Sequence, residues 1–269
     1  MNQTGTTNSR PTGPLLRRAL LPDQGAVVSL VGAGGKTSLM FRLARELSLS
    51  GDTVLTTTTT KISKREAAEN SAVVVSGPVS TILGRAADII PVHSHMTAVR
   101  DSCYGKLVGY KTGDIDRLWQ SGLFRWILVE ADGAARLPLK VPDAHEPVIP
   151  GCSHCVVGIA GLTAFEKPLS DQWVFRVALF RKLTGLNAGG VITAEAIAAS
   201  LVHRDGIFKG SPPAARRVVF LNQADSPERL AAGRLVIASL SGQPRKVLIQ
   251  RAILGKLLFD PPVVEIFDF

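Results

Sequence analysis

The sequence predicts one α/β domain, built on a mostly parallel sheet with helices on both faces. Three observations predict it. Short apolar runs that read as buried strands alternate with stretches of helical periodicity. A glycine-rich segment ending in Lys-Thr joins the first run to the first helix. A later apolar run, WILVE at 126–130, stops at an acidic residue.

Each element follows from local pattern. Residues 26–31 (AVVSLV) form a buried strand ending in glycines. Residues 37–49 carry Leu39, Met40, Leu43 and Leu47 at helical spacing, and Gly51 closes that helix. Residues 53–57 and 72–75 read as further strands, and 83–90 as a passage from helix to strand. After 126–130, the segment 133–151 holds four prolines and no periodicity, which marks a long loop. Residues 155–160 form a strand, and 170–183 and 193–202 form helices. Residues 217–221 form a strand that runs into Asn222, and 227–240 a helix with Pro in its first turn. Residues 247–249 and 263–267 complete the strands. There is no internal repeat, coiled-coil heptad or domain linker.

Residues 1–20 read as a disordered polar leader and 21–269 as the single domain. The leader lacks the apolar core of a secretory signal, which points to the cytoplasm. The most apolar stretch, 155–165, is about half of the roughly 20 residues that a membrane span needs. Three cysteines, Cys103, Cys152 and Cys155, make no disulfide framework. The net charge of +9 comes from the two ends of the chain, because residues 101–200 carry ten basic and ten acidic side chains. No run of five basic residues occurs and aromatics are 6%, so nucleic acid is an unlikely partner and phosphorylated small molecules fit better.

The segment Gly32-Ala33-Gly34-Gly35-Lys36-Thr37-Ser38 has the chemistry of a phosphate-binding loop. Glycines let backbone N–H groups turn inward around phosphate oxygens, and the helix N-terminus adds partial positive charge. Lys36 is placed to reach the β/γ-phosphates and Thr37 to ligate Mg²⁺. The usual Gly-x4-Gly-Lys-[Ser/Thr] pattern has Leu30 in its first position here, so the wrap differs. Glu130 and Asp132, at the end of WILVE, are candidate metal ligands, and Asp132 is alternatively the group that orients an attacking water.

Other segments are more open. Thr56 to Thr60 end the second strand, where a hydroxyl could meet metal or phosphate or simply suit a strand. Asn222-Gln-Ala-Asp225 is similar to the Asn-Lys-x-Asp element by which GTPases read guanine, with Gln223 in place of Lys; a turn and helix cap is the alternative. Arg136, Lys140, His145 and Glu146 lie in the proline loop and could grip an acidic substrate or phosphates. Arg136 is also a candidate arginine finger in cis. Cys152, His154 and Cys155 offer at most three metal ligands with no second cluster.

In order along the chain, Val31-Gly-Ala-Gly-Gly-Lys-Thr37, the threonine run, Val129-Glu-Ala-Asp-Gly-Ala134, Leu137-Pro-Leu-Lys140, Glu146-Pro-Val-Ile-Pro150 and Leu221-Asn-Gln-Ala-Asp225 resemble the selenium-dependent hydroxylase accessory proteins, the YqeC-like family. The resemblance runs from about residue 20 to residue 260. It implies a P-loop nucleotide-binding fold. It also implies a role beside molybdenum hydroxylases, or with their cofactor-assembly proteins, in maturing a selenium-bearing or molybdenum cofactor. Residues 130–133, Glu-x-x-Gly, are more distantly similar to nucleotide-driven metallochaperone GTPases.

The expectation is a P-loop domain that binds a Mg²⁺-bound nucleotide, GTP or ATP, and slowly hydrolyses it. Gly32 to Ser38 would bind phosphate, Asn222 and Asp225 the base, and Thr37 with Glu130 or Asp132 the metal. A small-molecule kinase or ligase on the same loop, and a module that binds nucleotide without cleaving it, are the rivals.

Overall fold

A computed structural model describes residues 15–243 and 247–269. In chain order the first half holds α1 (Leu16–Leu20), β1 (Ala26–Gly32), α2 (Lys36–Leu49), β2 (Val54–Thr58), β3 (Lys61–Ser63), α3 (Lys64–Asn70), β4 (Val74–Ser76), α4 (Val79–His93), β5 (His95–Val99), β6 (Asp101–Cys103), β7 (Lys106–Val108), α5 (Thr112–Gln120) and β8 (Trp126–Glu130). The second half holds β9 (Leu139–Lys140), β10 (Cys155–Gly161), β11 (Val174–Phe175), α6 (Val177–Thr184), α7 (Ala194–Val202), β12 (Arg216–Asn222), α8 (Pro227–Gly242), β13 (Arg251–Gly255) and β14 (Val263–Asp268).

Nine strands form the central sheet in the order β14-β13-β12-β10-β1-β8-β2-β5-β4. All neighbours are parallel except β13 and β14 at one edge. Successive residues of each strand face opposite sides of a sheet, and the core divides accordingly. Val28, Leu30, Trp126, Leu128, Val157 and Phe220 pack on one face against α1 and α2. The opposite face has two clusters. Val27, Ile127 and Val129 meet α4 and α5; Val31, Val156 and Val219 meet α6, α7 and α8. Burial on both faces explains why β1, β8 and β10 are apolar runs without alternation. The mostly parallel sheet with helices on both faces is the one the sequence predicts.

Several elements differ from expectation. The leader does not stay irregular to residue 20. Leu16, Ala19 and Leu20, at helical spacing, bury completely, and Glu46 accepts from the Leu16 and Arg17 amides at 3.0 and 3.1 Å. Residues 1–14 of that leader lie outside the described residues. Residues 83–90 belong to one helix, α4, which runs on to His93 through Pro91. The helix expected over 170–183 begins only at Val177, because Val174 and Phe175 pair with β9 instead. Residues 247–249 are not a strand; the Val247 amide bonds Val202 O, and β13 begins at Arg251. The small sheet β3-β7-β6 and helices α3 and α5, all short, are further elements beyond those expected.

Candidate functional site

The central strands all point their carboxyl ends the same way, and connections leave β1 and β10 toward opposite halves of the sheet. A crevice outside the strand ends follows from that reversal. It is a cavity of about 500 Å³, lined by Gly34–Ser38, Glu130, Gly133 and Arg136 and by residues after β12 and β13.

The glycine-rich loop is short. β1 continues through Gly32, and α2 starts at Lys36, so three residues make the turn. Leu30, where the usual pattern has Gly, is a fully buried strand residue opposite Glu130 and Val157. Gly32 and Gly34 have φ of +93° and +83°, and a Cβ on either would strike backbone at 2.2 or 2.5 Å. The Ala33 amide bonds Ile159 O at 2.8 Å. The Gly34 and Gly35 amides have no protein acceptor among the described residues. With the first amides of α2, which no helix can satisfy internally, they make an anion cradle.

Lys36 is 4% exposed and turns back over the loop. Its ammonium donates to Gly32 O at 2.7 Å and lies 3.1 Å from Asp132 Oδ1 and 4.0 Å from Glu130 Oε1. Thr37 Oγ1 donates to Glu130 Oε2 at 2.8 Å. Burial pushes the Glu130 carboxyl above its ordinary value, against the pull of Lys36 and the Thr37 hydroxyl. A hydroxyl and a carboxylate oxygen side by side at the loop are the hard donors that suit Mg²⁺.

Asp132 has a different setting. It is fully buried; its Oδ2 accepts from the Gly32 amide at 3.0 Å and is ion-paired with Lys140 Nζ at 2.9 Å. Oδ1 faces Lys36 but has no donor in hydrogen-bond geometry. Asp132 is therefore committed to two ammonium groups, whereas Glu130 opens onto the crevice.

The proline loop is part of this buried network. Lys140 is not a free cation: its side chain is fully buried, donating to Gly133 O at 2.6 Å and to Glu146 Oε2 at 2.8 Å. Arg176 donates to the same Glu146 oxygen at 2.7 Å. Burial alone would raise the Glu146 carboxyl, but Arg176 and Lys140 hold it down at about 2. His145 does not line the crevice. Arg136 does, mostly exposed and 3.3 Å from Glu66.

After β12, Asn222 is 6% exposed and both ends of its amide are taken. Nδ2 donates to Gly34 O at 2.8 Å, and Oδ1 accepts from the Leu257 amide at 3.1 Å. It clasps the phosphate loop to the segment after β13. Gln223 accepts from the Thr163 hydroxyl at 2.9 Å. Asp225 lines the crevice and is ion-paired to Arg229 at 2.6 Å. Lys256, Leu257, Leu258 and Phe259 close this end. None of these four carries a motif; a cation followed by three adjacent apolar residues was the available signal.

The threonines serve the scaffold. Thr56 meets Thr97 and His95, Thr58 donates to Glu130 O at 2.7 Å, and Thr59 donates to Val148 O at 2.7 Å. Cys155 is a buried strand residue whose thiol burial pushes up to about 12, and His154 accepts from the Val27 amide.

A parallel sheet, a phosphate loop between β1 and α2, and a carboxylate ending the neighbouring strand define a P-loop-type α/β protein. The model of the YqeC protein family matches residues 28–178. The chain is 35% identical over 226 residues to the uncharacterized protein YqeC of Escherichia coli (strain K12), covering 80% of this chain and 84% of the relative. The chain therefore belongs to the YqeC family. Among solved structures, FtsY of Mycoplasma mycoides aligns at 11% identity and TM-score 0.40, covering 93% of this chain and 65% of that one. The signal recognition particle receptor FtsY of Elizabethkingia anophelis aligns at 13% identity and TM-score 0.39, with the same coverage. The chain thus spans less than two thirds of these FtsY chains. Among the described residues, no helix is long and apolar enough to cross a membrane.

Proposed function

We propose that this protein binds a Mg²⁺–nucleoside triphosphate in the crevice and hydrolyses it slowly, acting in the cytoplasm as an accessory factor that matures a selenium or molybdenum cofactor for a molybdenum hydroxylase. The observation that carries nucleotide binding is the Lys36–Thr37–Glu130 arrangement beside unpaired loop amides. The hydroxylase context comes from the YqeC resemblance alone.

In this reading the amides of residues 34–37 and the Lys36 ammonium receive the phosphates. Thr37 and Glu130 hold Mg²⁺, which neutralises charge on the phosphates when bound. Lys36 moves from Gly32 O and Asp132 toward the nucleotide. That frees Asp132 Oδ1 to accept from an attacking water while Lys140 keeps the carboxylate in place. Arg136 is near enough to the crevice to add charge in cis. Asp225 reads a base only after leaving Arg229.

The kinase or ligase alternative loses two of its three substrate cations, since Lys140 is buried in ion pairs and His145 lies off the crevice. Titration with fluorescent GTP and ATP analogues, with and without Mg²⁺, tests the proposal and decides between the bases. Tight Mg²⁺-dependent binding, lost in Lys36→Ala, is the expected result. No binding of either nucleotide overturns it.

A further inference from the structure

Part of the crevice lining comes from the small antiparallel sheet. In it Ile62 pairs with Leu107, and both side chains bury, at 3% and 1% exposure. Pairing residues share a face and neighbours alternate, so Lys61, Ser63 and Lys106 must present the other face. The sheet is fixed to the end of β2. The Gly109 amide bonds Thr60 O and the Tyr110 amide bonds Thr58 O, at 2.8 and 2.9 Å. A Cβ on Gly109 would strike Thr58 O at 1.9 Å, so only glycine lets the two segments close this far.

The apolar pair fixes the strands that carry the lysines, and Lys61, Lys106 and Arg136 line the crevice, with Ile62 at its edge. Among the described residues neither lysine has an ion-pair partner, and Arg136 has only the exposed contact to Glu66. Five Lys and Arg side chains line the crevice against three carboxylates. Of those three, Asp225 is already paired with Arg229 and Glu66 with Arg136, while Glu130 accepts from Thr37 and lies 4.0 Å from Lys36. Lys61 and Lys106 are left without a carboxylate partner among the described residues, and a low-dielectric cleft focuses their charge. The proposed nucleotide reading assigns the phosphates to the loop amides and Lys36 and uses neither Lys61 nor Lys106.

We propose that Lys61, Lys106 and Arg136 form a subsite for a second, small anionic ligand carrying phosphate or carboxylate groups, bound beside the nucleotide. The proposal rests on the phosphate-loop reading of the same crevice. It keeps Arg136 of the proline loop and puts Lys61 and Lys106 of β3 and β7 in the place of the buried Lys140.

The test uses two probes, inorganic phosphate and succinate, titrated into full-length protein saturated with Mg²⁺–nucleoside diphosphate and followed by NMR shifts. Saturable binding of either probe is expected, without displacement of a labelled diphosphate. It should weaken about tenfold in Lys61→Gln/Lys106→Gln, which removes two charge-assisted contacts but keeps the stems, and persist in Lys61→Arg/Lys106→Arg. Three results overturn the subsite. The probe displaces the labelled nucleotide; or the Gln variant binds the probe as tightly as the parent, leaving the lysines as guards of a sheet edge; or the Gln variant loses affinity for nucleoside triphosphate alone, assigning the lysines to its terminal phosphate. If no nucleotide binds, the phosphate-loop reading has failed by itself. The same titration on nucleotide-free protein then still judges the subsite: retention in Lys36→Ala with loss in the Gln variant supports it, and loss in both overturns it.

Discussion

Replacing Lys140 by Met tests whether the buried ion network, rather than apolar packing, fixes the phosphate loop against the proline loop. Met keeps the stem and removes the charge. Three contacts disappear: to Asp132 Oδ2 at 2.9 Å, Glu146 Oε2 at 2.8 Å and Gly133 O at 2.6 Å. Removing one partner of a buried pair costs about 3–5 kcal/mol, because the other charge stays buried without it. Here Asp132 keeps the Gly32 amide and Lys36, and Glu146 keeps Arg176. That places the expected loss at the low end, about 3 kcal/mol. An unfolding entropy of about 2.1 cal/mol/K per residue gives roughly 0.6 kcal/mol/K for 269 residues. The melting temperature should therefore fall by about 5 °C. Urea unfolding followed by circular dichroism measures the loss directly, with an unchanged m-value expected. Lys140→Met/Asp132→Asn removes both charges and should cost about 1–3 kcal/mol less than its two single variants together. A loss below about 1 kcal/mol, or strict additivity, would refute the reasoning, since either means that Asp132 and Lys140 do not depend on each other.

Two further outcomes follow from the same contacts. Glu146 is held at about 2, below the ordinary carboxyl near 4.3, so its contribution is present above pH about 4.3 and is lost as pH falls toward 2. Linkage makes that on the order of 3 kcal/mol at neutral pH, reduced to about 2 by partial exposure. Glu146→Gln should lower stability at pH 7 and flatten the acid limb of a stability–pH curve between about 4.3 and 2; an unchanged acid limb contradicts the assignment. Asn222→Ala leaves Gly34 O and the Leu257 amide without their partners, which should cost about 1–3 kcal/mol in urea unfolding. It should also weaken nucleotide binding, because it releases the phosphate loop; a variant with parental stability and affinity would show that the clasp does neither.

The elements legible in the sequence are those whose own residues decide their conformation. β1, β8, β10 and β12 are apolar runs because neighbours cover both faces, and no other structure buries such runs as cheaply. The phosphate loop is legible for the same reason, since Gly32 and Gly34 adopt φ values that other residues avoid. What the sequence hides depends on distant contacts. Helix α1 exists because Leu16, Ala19 and Leu20 find the sheet face beside α2 and Glu46 receives its first amides. β9 and β11 are two residues each, too short for a period. Val247–Ile249 is as apolar as a strand, yet its neighbour β13 takes the place beside β12. Lys140 reads as a cation free to grip an acidic substrate until Asp132, Gly133 and Glu146 are seen around it.

The residues that share the crevice lie far apart in the chain because each ends a strand. Gly32 ends β1, Glu130 ends β8 and Asn222 ends β12, while the 256–259 segment follows β13. Parallel pairing in register holds those ends level. Leu30 pairs with Glu130, Gly32 with Ile159 and Gly161 with Asn222. The cross-ties then run over the strand ends rather than through the core: Thr37 to Glu130, the Gly32 amide to Asp132, Asn222 to Gly34 and Leu257. Nearly every polar side chain in these ties is buried, where a lost hydrogen bond costs most. Lys36 is the exception in kind. It has no tie to another strand except through charge, and its carboxylate partner Asp132 retains Lys140 and the Gly32 amide when Lys36 leaves. In the proposed reading, a phosphate that draws Lys36 away leaves Asp132 with Lys140 and the Gly32 amide, and Glu130 with the Thr37 hydroxyl.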